Sequence, residues 1–240
     1  MKKPEFAMSK QDFLVFLETD AKLRVDDFIQ GAIEVAEEVH HGVTREDAES
    51  SFLETHIWPV AADVVKHYRS VNRTLTSVEV ASALLHDILE DNERILDYHK
   101  TKDYGFEAYL RYRFGSRVSE IATQLNIPPL DNFPGSDRAQ SEMKRFQRYC
   151  EMLSSSGYDV KTIKLADRLN NMKFVLGIAQ LNNKAIYDKI KRYLREAEDF
   201  YIAYTMLKPK LPDFYTSIRT VYENLRSSYF EQTLTMPQSI

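Results

Sequence analysis

Four groups able to bind a cation or move a proton crowd the end of the segment Val80-Ala81-Ser82-Ala83-Leu84-Leu85-His86-Asp87-Ile88-Leu89-Glu90-Asp91. Read as a helix at ~100° per residue, the segment places His86, Glu90, Asp87 and Asp91 on one arc of about 140°. Leu84, Leu85, Ile88 and Leu89 fall opposite, where they can face a core, and Ala83 inside the polar arc leaves room for a ligand. An imidazole beside a carboxylate offers a divalent cation one nitrogen and one oxygen. Two carboxylates a turn further on are placed to orient or deprotonate a bound water. Taken alone, this pattern more often describes the solvated acidic face of an amphipathic helix.

A second segment, Val160 to Met172, sets Asp167 inside the apolar spacing of Ile163, Ala166 and Leu169, with Asn171 on the same face. A carboxylate there needs a cation or hydrogen-bond donors; Lys164 and Arg168 are equally good partners in a plain structural salt bridge. A third stretch holds His40-His41-Gly42-Val43-Thr44-Arg45 and, further on, Thr55-His56-Ile57-Trp58-Pro59-Val60-Ala61. Thr55 is suited to cap a helix whose first turn carries His56 and Pro59. Each of these histidines, by itself, reads as an ordinary polar side chain.

The elements that must position these groups are helical. Apolar residues recur every three or four positions, and only seven glycines occur in 240 residues, with no strand alternation between hairpin turns. Phe28, Ala32, Val35, Ala36 and Val39 share one face of a helix over 25–40. Thr76-Ser77-Val78-Glu79 forms a capping box from which a helix is expected to run to about Asp91. Further helices are expected near 9–20, 56–70, 106–113, 116–126, 138–154, 159–176, 178–206 and 213–231. Three prolines between Asn126 and Gly135 make that stretch a loop, read as internal to one domain because candidate residues lie on both sides. The class is all-α.

Composition narrows the function. The chain is 43% hydrophobic and 28% charged, which excludes wholesale disorder. A net charge of −4 gives no global reason to bind nucleic acid. Cys150 is the single cysteine, so neither an intramolecular disulfide nor a Cys-rich zinc site can form. No apolar run reaches the ~18–20 residues of a membrane span. A cytoplasmic protein is expected, with a small-molecule partner, no membrane contact and room for an oligomer. The aromatic stretch from Phe200 to Phe230 is expected to complete the core rather than to form a dimer contact.

Set in order, the segments resemble the hydrolase domain of the RelA/SpoT group, within the HD superfamily of metal-dependent phosphohydrolases. That family reads His-x-Gly-Gln-x-Arg, then a His followed by Val-Ala, Ala-Leu-Leu-His-Asp-(x)2-Glu-Asp-Thr, Phe-Gly-(x)2-Val and Lys-Leu-Ala-Asp-Arg-Leu-His-Asn-Met. Here the counterparts are His40 to Arg45, His56 with Val60-Ala61, Ala83 to Asn92, Phe114-Gly115 with Val118, and Lys164-Leu165-Ala166-Asp167-Arg168-Leu169-Asn170-Asn171-Met172. They span about residues 32–176 and keep the family order.

The resemblance implies an HD-type helical bundle over 1–240 with its motif core at 32–176 and a helical extension over 177–240. It implies a metal held by His56, His86, Asp87 and Asp167, usually Mn²⁺ in the family; Fe²⁺, Co²⁺ and Zn²⁺ also suit the ligand types. Glu90 and Asp91 would serve the catalytic water, and Arg45 and Asn171 would line the nucleotide side. His40 would support the site; His41, His67 and His99 match nothing. The implied reaction is hydrolysis of the 3′-pyrophosphate of ppGpp or its adenine counterpart, and with no further motif after Met172 the chain is similar to the stand-alone small alarmone hydrolases. Lys144, Arg145 and Arg148 would meet phosphates at the rim or form a solvated basic face.

Departures from the family fall around recognition. Two extra residues separate Arg45 from His56, Glu46 stands where a basic residue is common, Asn170 replaces a His, and Phe174 replaces a small Thr. Ala122-Thr123-Gln124-Leu125 occupies the place of an expected Gly-x-Thr-Lys. None touches the implied ligands. They keep open a second reading, the same chemistry on another nucleotide or small phosphoester such as NADPH, and a third, a non-catalytic nucleotide-binding module.

Overall fold

Among the described residues the 3.6-residue apolar spacing of the sequence resolves into nine α-helices and no strand. The computed structural model describes residues 4–90, 105–179, 184–202 and 211–235. In chain order the helices are α1 (Lys10–Val15), α2 (Asp27–His40), α3 (Trp58–Ser70), α4 (Ser77–Leu84), α5 (Phe106–Leu125), α6 (Arg138–Ser155), α7 (Tyr158–Ile178), α8 (Lys184–Glu196) and α9 (Pro212–Thr235). Buried apolar side chains from Phe13 to Leu225 form one cluster.

Helix α7 organises the bundle. Every side chain from Thr162 to Asn170 is buried, as befits a helix surrounded by others, and α3, α4, α5, α8 and α9 all pack against it. Its neighbours start where capping chemistry allows. Asp26 accepts the Ile29 amide at 2.9 Å to open α2, and Thr76 with Glu79 forms the expected reciprocal box at α4. The carboxyl of Asp26 is held below its usual range: burial would raise it, but the Ser77 hydroxyl and the first-turn amides outweigh that. In the C-terminal aromatic stretch Tyr201, Phe214 and Tyr222 are buried in the core.

Three elements depart from regular helix. Gly115, at φ 79° and ψ 169°, breaks α5 where separate helices over 106–113 and 116–126 were expected. A π-helical turn, Leu53–Ile57, precedes α3; Thr55 does not cap it but donates its hydroxyl to the Ser51 carbonyl at 2.6 Å. Helix α4 ends at Leu84, not near Asp91. His86 Nδ1 donates to the Ala83 carbonyl at 2.7 Å, taking the acceptor that the Asp87 amide would use in a continuing helix. The chain proceeds instead through tight turns, with Ile88 N–H to Leu85 O at 3.3 Å and Glu90 N–H to Asp87 O at 3.0 Å. Asp91 and His99 lie outside the described residues. None of the described helices is long and apolar enough to cross a membrane.

Candidate metal centre

His56 is set by the π-helical turn. Pro59 has no N–H and its ring crowds the carbonyl one turn back; the wider turn relieves that clash, with the Trp58 amide bonding to Leu53 O. In this register the Glu54 carbonyl faces Pro59, which has no N–H to give. The Met8 amide from the N-terminal segment supplies one at 2.8 Å. His56 is thereby held 1% exposed, its ring packed on Phe52 at 4.7 Å, and Phe52 in turn lies 5.0 Å from the buried His40 ring.

The turns after α4 bring His86 and Asp87 against it. His56 Nε2 lies 3.0 Å from Asp87 Oδ2 and 3.1 Å from His86 Nε2, and His86 Nε2 is 3.3 Å from the same Asp87 oxygen. One ligand atom from each of the three side chains lies within 4.8 Å of the others. Two imidazole nitrogens and a carboxylate oxygen form a donor set suited to a first-row divalent cation, so the trio fits a metal ion. Both rings are buried and the Asp87 side chain keeps 17% of its surface exposed, so the cluster opens to solvent on the Asp87 side.

Asp167 stands beside this trio with its two oxygens divided. Oδ1 is 3.6 Å from His56 Nε2 and accepts the Asn171 amide, while Oδ2 pairs with Lys164 Nζ at 2.8 Å. Of the two basic partners open to it in the sequence, Lys164 takes Asp167. Arg168 pairs with Glu196 at 3.1 Å.

The cluster attracts positive charge. Burial would lower His86, but the charge and hydrogen bond of Asp87 raise it to about 9. His56 is lowered, chiefly by burial and only partly offset by Asp87. Burial would raise Asp87, yet the charge of His86 and hydrogen bonding within the cluster hold it well below the usual range. Asp167 is lowered in the same way, with Lys164 overcoming the effect of burial. Glu90, on the solvent side, is raised by loss of surrounding water and then by the charge of Asp87, and its Oε1 accepts the Ile127 amide at 3.5 Å. A carboxylate raised toward neutrality is a better proton acceptor than an ordinary surface one.

Arg45 is placed by a short antiparallel bridge, Thr44 to Ser51, with its amide bonded to Ser50 O at 2.8 Å. Its guanidinium lies 4.1 Å from the Phe174 ring centre. It reaches Asn171 Oδ1 at 2.9 Å, Asn170 Oδ1 at 3.5 Å and Glu46 Oε2 at 3.3 Å. Its side chain is 2% exposed. Glu46 also pairs with Lys189 of α8.

The structure thus brings His56, His86, Asp87, Asp167, Asn171 and Arg45 into one connected network, with Glu90 at its edge. His67 lies elsewhere, its Nε2 at 2.7 Å from the Tyr158 hydroxyl, and His41 is exposed. Lys144 donates to the Pro134 carbonyl and Arg148 to Glu151, contacts of a surface helix. Asn170 is the participant that sequence reasoning passed over: its Oδ1 meets His56 Nδ1 at 2.8 Å. The signal was its position, three residues after Asp167 and beside Asn171 on a buried helix. No family model matches the chain, and no curated protein matches it.

Proposed function

We propose that the protein is a metal-dependent phosphohydrolase acting on a 3′-pyrophosphorylated nucleotide such as ppGpp or ppApp. The observation that carries this reading is the convergence of His56 with His86 and Asp87, from segments thirty residues apart, on a point beside Asp167. The ordered motifs that resemble the RelA/SpoT hydrolases support the substrate class. A bound divalent cation would supply Lewis acidity, polarising a phosphate oxygen and acidifying a water.

The chain's own residues divide the remaining work. His56, His86 and Asp87 present the ligand atoms, and Asp167 adds a fourth group, a carboxylate whose far oxygen is neutralised by Lys164. Glu90, raised and solvent-facing, accepts a proton from the attacking water. Asn171 keeps Asp167 and Arg45 in register.

The burial of Arg45 favours one alternative. Its guanidinium is enclosed by Phe174, Asn170, Asn171 and Glu46 and offers little to a nucleobase. A small phosphoester, or a nucleotide whose base is held by other residues, then becomes the substrate of the same chemistry.

Pyrophosphate release from ppGpp by protein reconstituted with Mn²⁺ is the test, with Asp87→Ala alongside. Release that vanishes in the variant supports the first reading. Absence of release from a protein that binds Mn²⁺, together with turnover of another phosphoester, moves the assignment to the second. Tight nucleotide binding without turnover of any phosphoester would make the protein a binding module.

A further inference from the structure

The side-chain amide of Asn170 stands between two groups that constrain it from opposite sides. The Arg45 guanidinium approaches its Oδ1 at 3.5 Å, and His56 Nδ1 lies 2.8 Å from the same oxygen. A guanidinium has only hydrogens to give. An amide turned by 180° would set its NH2 against it, donor facing donor, so Arg45 holds the oxygen inward. An amide oxygen can only accept, so the hydrogen of the His56–Asn170 bond belongs to Nδ1. Nε2, the atom facing Asp87, His86 and Asp167, then keeps its lone pair, and in the metal-free protein the proton shared at this point is the Nε2–H of His86, 3.1 Å from His56 Nε2 and 3.3 Å from Asp87 Oδ2.

We propose that Arg45 acts through Asn170 as a positioning residue of the metal centre, fixing His56 as the Nδ1–H tautomer and presenting a bare Nε2 to the cation. The inference rests on the metal-centre part of the reading above and is independent of the substrate. The guanidinium is suited to this because it is itself immobile, stacked 4.1 Å from the Phe174 ring centre and bonded to Asn171 at 2.9 Å. It is also 2% exposed, and in such a place a misdirected amide bears the full cost of unmatched polar groups. When a cation displaces its Nε2 proton, His86 is left as the same tautomer by other means, since its Nδ1 donates to the Ala83 carbonyl. One ring is oriented by the backbone and the other by a side-chain relay. Only the relay can be removed by substitution.

The test reads the ring nitrogens of His56 directly, by long-range proton–nitrogen spectra of ¹⁵N-labelled, metal-free protein, and Mn²⁺ affinity by calorimetry. In the wild type Nδ1 is expected to be the protonated nitrogen. Asn170→Leu, close in shape but without an acceptor, is expected to shift His56 toward the Nε2–H form and to weaken Mn²⁺ binding about 10-fold or more. Asn170→Asp, whose oxygens still accept, is expected to keep both the tautomer and the affinity. Arg45→Met, which frees the amide to turn, is expected to give a mixture; should it fail to fold, the two Asn170 variants carry the test. An unchanged Nδ1–H signature in Asn170→Leu would overturn the relay, whatever the protein hydrolyses. A protein that binds no Mn²⁺ yet shows the tautomer shift would retain the relay and refute the metal centre, so the two failures are separable.

Discussion

The Met8 amide donates to the Glu54 carbonyl at 2.8 Å, completing the hydrogen bonding of a turn that Pro59 leaves one donor short. The N-terminal segment is in this way part of the support of His56, two residues further along the turn.

Met8→Pro removes that hydrogen bond. A loss of about 1–3 kcal/mol in stability is expected, read by denaturant melts, together with weaker Mn²⁺ binding. Stability lost with Mn²⁺ affinity intact would show that the turn holds His56 without this bond.

The raised pKa of His86 predicts a pH dependence for the metal-free protein. Its ring stays protonated in the fold up to about 9 because of Asp87, against about 6.5 in an unfolded chain. Stability from this group is therefore full below about 6.5 and lost as pH rises through about 9. Melting temperatures in EDTA are expected to fall across that window relative to His86→Gln, which isolates the ring from other titrations. Mn²⁺ competes with the same proton, so its apparent affinity is expected to rise over the same range. Parallel curves for the two proteins would contradict the protonated ring.

Lys164 is the counter-charge of Asp167 in a setting where both side chains are under 10% exposed. Lys164→Met leaves a buried carboxylate unpaired, and a loss of about 3–5 kcal/mol is expected. A cation in the adjacent cluster restores part of the missing charge, so the deficit is expected to shrink when melts are run with Mn²⁺. An equal deficit with and without the ion would mean that Asp167 is not coupled to the metal site.

Gly115 adopts φ 79° with ψ 169°, a backbone region essentially reserved for glycine. No atom lies within 4 Å of a Cβ built there, so the cost of Gly115→Ala is conformational rather than steric. About 1–3 kcal/mol of destabilisation is expected, with Mn²⁺ affinity unchanged. A neutral substitution would show that the two halves of α5 can straighten.

The helices were legible because burial of one face imposes a spacing that the residues display openly. Even the break at Gly115 was visible, since glycine in a helical run marks a point where the backbone must turn. The capping box at Thr76 and the pairing of Asp167 with Lys164 are local, set by residues three apart, and local chemistry can be read from a string. The end of α4 was not legible. It depends on the His86 side chain outcompeting a backbone amide for the Ala83 carbonyl, and nothing in the apolar pattern of Leu84, Leu85, Ile88 and Leu89 registers that competition. His86 and Asp87 consequently meet His56 from tight turns and not from the continuous helical face first expected. The π-helical turn was hidden for a related reason: Pro59 announces a missing donor, while the remedy comes from Met8, far along the chain. Asn170 was visible only as an oddity, because its role lies in contacts to Arg45 and His56, each more than a hundred positions away.

Helix α7 carries Lys164, Asp167, Asn170, Asn171 and Phe174 on a single rod, and this sets how the chain can change in length. Adding one residue before Lys164 within α7 would rotate all five together by ~100° against the segments bearing His56 and Asp87. The loop over 126–135 holds a short 3₁₀ turn, Leu130–Asn132, and bonds Glu90 through Ile127 and Lys144 through Pro134; insertions between these points leave the rod in phase. Length variation among descendants of this sequence is therefore expected to collect in the proline loop and to be purged from α7.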